Sequence, residues 1–286
     1  NILADGLKHL EYRGYDSAGI AVIENKKIHS YKKEGHVSEL TNILDKKLTS
    51  NIGIAHTRWA THGKPSEINA HPHVSDNNIA IVHNGIIENY IEIRDKFFKE
   101  TKLESDTDSE VLAHLINSYS KENDILDAVY LALKEVKGSY AIAVLDKNNA
   151  DEIIVARHGS PLLIGVGENV NYIASDAHAL IMHTNKFIYL EDGDTASISS
   201  KEIKIYDTNK KPVQREIKKS NLSLDSNTKN GYEHFMLKEI FEQPEAVKAT
   251  IQDRIINNTV PKEILGPNVD KYLSNFNLVQ IIACGT

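Results

Sequence analysis

Short strand-like segments, most of them not followed by a helix, constrain the fold of this chain more than any other feature. Apolar patterning predicts strands over residues 18–23, 28–33 and 51–57, and several more between residues 139 and 206. Between these two groups lies a block with mostly helical spacing, from residue 86 to residue 136. A regular alternation of strand and helix would predict a parallel sheet. This order instead predicts sheets that are covered by helices.

The chain of 286 residues is long enough for about two domains. Residues 1–208 hold the strands and the helical block and form the first predicted domain. Residues 209–233 are mostly polar and lack periodicity, which predicts a linker. Residues 234–286 form the start of a second, α/β domain, in which a helix is expected to be kinked or divided at Pro244.

Both ends of the chain fall inside predicted elements. Residues 1–10 have helical spacing from the start, and residues 278–283 (LVQIIA) predict a buried strand that runs into Cys284-Gly285-Thr286. Such a turn usually leads into a helix, and its backbone amides and hydroxyl suit a phosphate group. We therefore expect the chain to be truncated at both ends.

Composition argues against several classes of protein. The fractions of hydrophobic residues (41%) and charged residues (26%) are those of a soluble globular protein. No apolar run approaches the ~20 residues that span a bilayer, so we expect no membrane partner. The net charge of −7 argues against general binding of nucleic acid. The one cysteine, Cys284, cannot form an internal disulfide and fits a cytoplasmic location.

The segment from residue 56 to residue 89 is rich in histidine. The histidines that could act with Asp108 as metal ligands are His56, His62, His71, His73 and His83. No His-x-x-x-His helix and no cysteine pair supports such a site, so metal binding is the weaker alternative. The Gly165-Val166-Gly167 segment lacks the third glycine of a dinucleotide fingerprint. We expect neither a metal nor a cofactor.

A second interpretation is a site for a zwitterion. The guanidinium of Arg58 suits a carboxylate, the carboxylate of Asp108 suits an ammonium group, and together they would hold an amino acid. Asn84 and Gly85 could donate N–H groups to an oxyanion. A nucleophile is missing, because Cys284 lies in the other predicted domain.

Each of these residues also has a structural interpretation. Arg58 could be a surface or ion-paired arginine, and Asp108 could stabilise the start of a helix. Trp59 would by default be buried in the core, although its polar, glycine-containing loop favours a lid. Asn84 and Gly85 could form only a hairpin turn.

Five segments in order resemble one known family. They are residues 11–19 (EYRGYDSAG), 56–63 (HTRWATHG), 83–85 (HNG), 238–244 (KEIFEQP) and 283–286 (ACGT). They resemble the glutamine–fructose-6-phosphate aminotransferases (isomerising), also called glucosamine-6-phosphate synthases. The glutamine-hydrolysing part of that family is a class II glutamine amidotransferase. The resemblance covers essentially the whole chain.

The resemblance implies an α+β fold, an N-terminal-nucleophile four-layer αββα sandwich, followed by a linker and the first strand of an α/β sugar-isomerase (SIS) domain. It implies that the mature protein begins with a cysteine, whose thiol attacks the side-chain amide of glutamine with its own α-amine as base. Ammonia would then pass to the isomerase half, which converts fructose 6-phosphate to glucosamine 6-phosphate, the first step of amino-sugar synthesis. It also implies a homodimer.

The resemblance assigns roles in binding glutamine to four positions. Arg58 matches the residue that binds the α-carboxylate of glutamine, and Asp108 matches the residue that binds its α-amine. Thr61 and His62 match flanking positions of the glutamine-binding loop. These assignments agree with the zwitterion interpretation of Arg58 and Asp108.

Further roles concern catalysis and ammonia. Asn84 and Gly85 match the oxyanion hole, and Arg13 matches an arginine beside the nucleophile. Trp59 matches a gate of the ammonia path. Thr286 matches a sugar-phosphate contact in the isomerase half.

The sequence departs from the family at both ends, where the cysteine-bearing first strand and nearly all of the isomerase half are absent. We therefore expect this chain to be inactive alone and poorly stable, since a missing strand leaves backbone groups unpaired. Three alternatives stay open: an amino-acid-binding module without catalysis, a class II amidotransferase with another acceptor, and a metal-dependent hydrolase.

Overall fold

The structure is a computed structural model that describes residues 2–45, 49–60, 63–220, 231–251, 254–255, 259–261, 269, 278 and 280. The chain separates into two compact units, residues 1–227 and residues 228–286. The α-helices are α1 (Ile2–Lys8), α2 (Val37–Ile43), α3 (Tyr90–Phe97), α4 (Asp108–Ser120), α5 (Ile125–Glu135) and α6 (Phe235–Ile251). The strands are β1 (Ser17–Glu24), β2 (Lys27–Glu34), β3 (Gly53–Arg58), β4 (His73–Ser75), β5 (Ile79–Ile87), β6 (Gly138–Asp146), β7 (Asn149–His158), β8 (Leu163–Val166), β9 (Asn171–Ala174), β10 (Lys186–Tyr189), β11 (Thr195–Ser199), β12 (Ile203–Tyr206), β13 (Pro212–Val213) and β14 (Ile217–Lys219).

A seven-stranded antiparallel sheet forms the centre of the first unit, in the order β13-β12-β11-β7-β6-β5-β4. Successive side chains of a strand point to opposite faces of its sheet. On β6, Ile142 and Val144 pack into the core beneath the helices, whereas Ala141, Ala143 and Leu145 pack into a second core on the other face. Both faces of this sheet are therefore buried.

Helices α4 and α5 cover one face of that sheet, together with α3. Each of the two longer helices begins at a residue whose side chain accepts a backbone N–H of the first turn: Thr107 from Glu110, and Asp124 from Asp127. The helices bury leucine, isoleucine and valine side chains against the sheet. Each such side chain stabilises the fold by about 1.5–3 kcal/mol when it is fully buried. The predicted helical block is confirmed from Tyr90 onward, as the three helices α3, α4 and α5.

Two smaller sheets cover the opposite face, in the orders β2-β1-β3 and β14-β10-β8-β9. Their inner side chains, among them Ile54 and Ile164, share one core with the seven-stranded sheet. Helices α1 and α2 pack against the outer face of the three-stranded sheet through Leu7 and Leu40. The order of layers is helix, sheet, sheet and helix, so the predicted αββα sandwich is confirmed.

A cleft of about 1390 Å³ opens between the two smaller sheets. Within the part of the chain that the structure describes, β3 pairs only with β1, and β9 pairs only with β8. Each of these strands thus has one unpaired edge, and both strands line the cleft. Ala141 and Ala143 of β6 also line it.

The structure corrects the predicted turn at Asn84-Gly85. Strand β5 continues through both residues to Ile87, and Gly85 pairs with Tyr140 of β6. Gly85 has a φ of 133°, and a Cβ there would lie 2.1 Å from the Ser139 carbonyl oxygen. Glycine is therefore needed for close packing inside a strand, and the following helix begins only at Tyr90.

The predicted linker over residues 209–233 is wrong in its first half. Strand β13 pairs with β12, and β14 pairs with β10, so both extend sheets of the first unit at their edges. Edge strands commonly carry lysine and proline, which discourage further pairing, and their backbone hydrogen bonds need no apolar pattern. Residues 221–230 of this segment lie outside the described residues.

In the second unit, α6 runs through Pro244 as one helix, so the predicted division there is wrong. Pro244 lacks the N–H that would have donated to the carbonyl of Ile240, and its ring crowds that carbonyl, but the helix continues on both sides of it. The predicted strand at residues 278–283 is described at residues 278 and 280 alone, and Cys284 and Thr286 lie outside the described residues. The helices that are described include none with the length and apolar character needed to cross a bilayer.

Candidate active site

The cleft brings together most of the side chains that were predicted to carry function. The described residues of this set that line it are Arg13, Arg58, Trp59, Asn84, Gly85 and Asp108. They come from the segment before β1, the end of β3, the middle of β5 and the start of α4. Thr61, His62 and Thr286 lie outside the described residues.

Arg58 is the last residue of β3, and only 5% of it is exposed. Its Nη1 lies 3.6 Å from Oδ1 of Asp16, and its Nη2 donates to the Gly63 carbonyl at 3.2 Å. The other oxygen of Asp16 accepts the backbone N–H of Ala60. The interpretation of Arg58 as a surface arginine is therefore wrong, whereas its ion pairing is confirmed. A buried guanidinium held in this way can bind a carboxylate through two hydrogen bonds.

Asp108 is the first residue of α4 and is also buried. Its Oδ2 accepts the backbone N–H of Ile87 at 2.7 Å, and its Oδ1 accepts the Ser109 hydroxyl at 3.3 Å. The carboxylate is thus fixed to the end of β5 and also benefits from the N-terminal end of the helix dipole. Asp108 brings a negative charge to the cleft that Arg58 also lines.

Asn84 and Gly85 lie between these two charged residues in the chain and line the same cleft. Asn84 pairs with Ala141 of β6, and its side-chain Oδ1 lies 2.9 Å from Nε2 of His56. At Gly85 the backbone of β5 packs directly against the backbone of β6. The chemistry available here is the donation of N–H groups to a negatively charged oxygen.

Four histidines form a cluster beside Asn84: His71, His73 and His83 are buried, and His56 is half-buried. The rings of His56 and His71 stack with centroids 4.3 Å apart, and His73 meets His71 edge-on at 4.7 Å. Burial lowers the pKa of His56 to about 4, that of His73 to about 3, and that of His71 well below its ordinary value. These rings are therefore neutral at pH 7.

The histidines do not converge on a common point as metal ligands. His73 bonds to the Thr107 hydroxyl, His83 bonds to the Ser109 hydroxyl, and His71 accepts the backbone N–H of His83. Over the described ranges, no group of three or more His, Cys, Asp or Glu side chains is arranged to hold a metal ion. The described histidines each have a different partner and do not share with Asp108 the arrangement that the metal-ligand interpretation requires.

Trp59 and Arg13 lie at the rim of the cleft. Trp59 is 67% exposed, so the default expectation of a core tryptophan is wrong. Its ring packs against Gly14, where a Cβ would come within 2.5 Å of it. Arg13 donates to Asp176, which also accepts the Tyr12 hydroxyl at 2.7 Å. Trp59 thus packs against the segment that precedes β1, and Arg13, which belongs to that segment, is anchored by Asp176.

Sequence reasoning missed three residues of this site. Asp16 lies in the 11–19 segment and pairs with Arg58, so its motif was a usable signal. His56 was considered only as a metal ligand, although it bonds to Asn84. Asp176 lies far from every motif, and no pattern in the sequence connects it with Arg13.

Another polar network resembles a catalytic relay but is structural. The Ser75 hydroxyl lies 2.9 Å from Nδ1 of His114, whose Nε2 lies 3.6 Å from Glu110. Burial would raise the pKa of Glu110, but hydrogen bonds from His114, Ser105 and the backbone outweigh it and lower the pKa to about 2. Ser75 is fully buried and accepts the Asn117 amide, so it cannot act as a nucleophile.

Comparison with known proteins agrees with this geometry. The family model described as a glutamine amidotransferase domain matches residues 56–182. The "Glutamine--fructose-6-phosphate aminotransferase [isomerizing]" of Shewanella oneidensis is 46% identical over 288 residues, which cover 100% of this chain and 47% of the relative. The protein of the same name from Idiomarina loihiensis is 48% identical over 289 residues, with the same coverage. The chain spans about half the length of these curated relatives.

Solved structures give the same fold. The glutamine phosphoribosylpyrophosphate amidotransferase from B. subtilis, complexed with ADP and GMP, superposes with a TM-score of 0.62 at 27% identity. The match covers 72% of this chain and 46% of that one. A structure described as the allosteric regulatory enzyme of purine biosynthesis superposes with a TM-score of 0.61 at 28% identity and covers the same shares.

Proposed function

The chain belongs to the glutamine–fructose-6-phosphate aminotransferase family of class II glutamine amidotransferases, and on that premise we propose that its first unit hydrolyses the side-chain amide of glutamine. The observation that carries this proposal is that a buried cation, a buried carboxylate and an asparagine–glycine pair line one cleft. A free amino acid has the matching groups, namely a carboxylate, an ammonium group and, in glutamine, a terminal amide.

Each side chain has one task in this proposal. Arg58 binds the α-carboxylate of glutamine, and Asp108 binds its α-amine, assisted by the flanking Thr61 and His62. Arg58 and Asp108 are already fixed by Asp16 and by the Ile87 N–H, so little side-chain entropy is lost on binding. Binding at the α-carbon end would bring the terminal amide of glutamine to a fixed position in the cleft.

The nucleophile in this proposal is the thiol of an N-terminal cysteine on a further strand, with its own α-amine as base. The cleft supports it, because the unpaired edges of β3 and β9 offer backbone hydrogen bonds to an extended segment. The thiol attacks the amide carbon, and the oxyanion accepts N–H groups from Asn84 and Gly85. Ammonia leaves, and water hydrolyses the thioester to glutamate. Arg13 would lie beside the nucleophile.

We propose further that the whole protein transfers this ammonia to fructose 6-phosphate and forms glucosamine 6-phosphate. The support is the name and the 46% identity of the relatives, which extend beyond the part matched here. In that protein, Trp59 would gate the ammonia path, and residues 234–286 would begin the sugar-isomerase domain, with Thr286 at the sugar phosphate. We also propose that the whole protein is a homodimer and is located in the cytoplasm.

The test compares this chain with a version that carries an added N-terminal strand beginning with cysteine. Glutamate release is measured with glutamine as the only substrate, and binding of glutamine is measured by calorimetry. We expect release only from the extended version, and we expect its Cys→Ala variant to bind glutamine without hydrolysing it.

Two results would overturn the proposal. Glutamate release from the chain without the cysteine strand would show that another group is the nucleophile. An extended, folded protein that binds glutamine and releases no glutamate would instead be an amino-acid-binding module.

A further inference from the structure

A hydrogen bond joins the side chain of His56 on β3 to the side chain of Asn84 on β5, and both residues line the cleft. The His56 Nε2 lies 2.9 Å from the Asn84 Oδ1. The Nδ1 of His56 is buried, and the ring stacks on His71 with 20° between the ring planes. His71 in turn accepts the backbone N–H of His83, the residue before Asn84. The imidazole therefore has a fixed orientation relative to β5.

The partners of His56 determine which of its nitrogens carries the proton. A neutral imidazole has one N–H donor and one acceptor nitrogen. The Nδ1 of His56 is buried and has no hydrogen-bond partner within the described residues. A buried N–H without a partner is rarer in proteins than a buried acceptor without one. The proton therefore lies on Nε2, which donates to Asn84.

This donation also determines the orientation of the Asn84 amide. A carboxamide can be turned so that either its oxygen or its NH₂ group faces a given neighbour. Because the Nε2–H of His56 needs an acceptor, the oxygen of Asn84 faces His56. The NH₂ group then remains for the cleft that Asn84 lines.

We propose that His56 is a positioning residue, which holds the Asn84 amide with its N–H groups toward the oxyanion of the hydrolysis reaction. The proposal rests on the proposed glutaminase function. Without His56, the Asn84 amide can turn so that its oxygen faces the oxyanion. The amide oxygen, which carries a partial negative charge, then repels the oxyanion, and this raises the free energy of the transition state. The effect falls on the chemical step, because Asn84 takes no part in holding the α-carbon end of glutamine.

The test is a double-mutant cycle in the full-length protein with its N-terminal cysteine. His56→Phe keeps a ring to stack on His71 but removes the donor, and His56→Gln restores an N–H donor. We expect His56→Phe to lower kcat for glutamate release about tenfold, with KM for glutamine changed less than about twofold. We expect His56→Gln to recover part of the loss. Asn84→Ala should lower kcat by about 10²–10³, as loss of an oxyanion donor does.

The decisive measurement is the effect of His56→Phe in the Asn84→Ala background. We expect no further loss there, because the residue that His56 orients is gone. His73→Phe is the matched control, since it changes another buried histidine whose hydroxyl partner is Thr107. Any loss from His73→Phe should persist in full in the Asn84→Ala background.

Three outcomes would contradict this proposal, and they distinguish failure of the role of His56 from failure of the role of Asn84. A tenfold loss from His56→Phe that persists in the Asn84→Ala background would show that His56 acts only on stability or packing. Normal kcat in His56→Phe beside an impaired Asn84→Ala would overturn the role of His56 alone. Normal kcat in Asn84→Ala would overturn the oxyanion role of Asn84, and the role of His56 would fall with it.

Discussion

At the scale of single residues, the site is made of charged groups that are held firmly before any ligand arrives. Arg58 forms an ion pair with Asp16 and donates to two backbone carbonyls, and Asp108 accepts the Ile87 N–H. A buried charge needs such partners because its transfer from water is costly. The same partners keep each group in the geometry that an amino-acid ligand needs.

We expect Arg58→Ala to lower kcat/KM for glutamine by about 100-fold, mainly through a higher KM, because a charge-assisted pair of hydrogen bonds to the carboxylate is lost. We expect Arg58→Lys to lose about tenfold, because an ammonium group cannot form the same two-pronged contact. Steady-state glutaminase kinetics measure both effects. Arg94→Lys, on the exposed surface of α3, is the control and should behave as the unaltered protein does. If Arg58→Ala instead lowers kcat and leaves KM unchanged, Arg58 does not bind the carboxylate of glutamine before the reaction.

The residue types of the site could be predicted from the sequence, but their pairings could not. The charges of Arg58 and Asp108 suggested a zwitterion site before any geometry was known. The partner of Arg58, Asp16, and the partner of Arg13, Asp176, come close only through the fold. Histidines that looked like metal ligands turned out to bond to hydroxyls and amides, because burial in a tight cluster leaves each ring a different neighbour.

At the scale of elements, strand β5 does the most to place the site. It runs past Asn84 and Gly85, and its end positions Asp108 through Ile87. An asparagine–glycine pair usually predicts a turn, since both residues tolerate positive φ. Here glycine is required for a different reason. Strand β6 lies so close to β5 that a side chain at residue 85 would clash with the backbone of β6.

We expect Gly85→Ala to destabilise the first unit by about 2–4 kcal/mol, because strain at positive φ and a backbone clash at 2.1 Å act together. Gly35→Ala is the matched control: Gly35 also has positive φ, but a Cβ there meets nothing closer than 3.8 Å. Gly35→Ala should therefore cost only the conformational part, about 1 kcal/mol. Urea unfolding of both variants measures the difference. Equal losses in the two variants would show that the clash at Gly85 is relieved by movement of β6.

Elements with strong internal signals were predicted well, and elements defined by their neighbours were not. Helices α4 and α5 have capping residues and an apolar face, and both lie within the block for which helical spacing was predicted. Strands β13 and β14 are short and polar, and only the sheet edges that they join give them a regular structure. The sequence of such a segment does not differ from that of a linker.

At the scale of the whole first unit, the neutral histidines His56, His71 and His73 make the fold sensitive to acid. Their pKa values lie well below the ordinary 6.5 in the folded state, whereas in the unfolded chain they take up protons as the pH falls through 6.5. The unfolded state then binds more protons, so the free energy of unfolding falls with the pH between about 6.5 and 4. Each of His56 and His73 should contribute a loss of about 2 kcal/mol between pH 7 and pH 5.

We therefore expect the full-length protein to unfold at markedly lower urea concentration at pH 5 than at pH 7. In His73→Gln, which has no proton to gain, the difference between the two pH values should shrink by about 2 kcal/mol. His36→Gln, at an exposed histidine, is the control for the loss of an imidazole as such. The histidine explanation fails if His73→Gln and the unaltered protein lose equal stability between pH 7 and pH 5.

Where strand β6 borders the cleft, its large side chains face the helices and its small ones face the cleft. Ile142 and Val144 point to the helices, whereas Ala141 and Ala143 point to the cleft. At this wall of the cleft, the available space is thus limited by side chains that make no hydrogen bond and bear no charge. Replacing such an alanine by valine narrows the cleft by two methyl groups and leaves every polar contact unchanged. Substitutions at these alanines during evolution can therefore change the size of the ligand that the cleft admits, while the polar groups that act on the ligand stay the same.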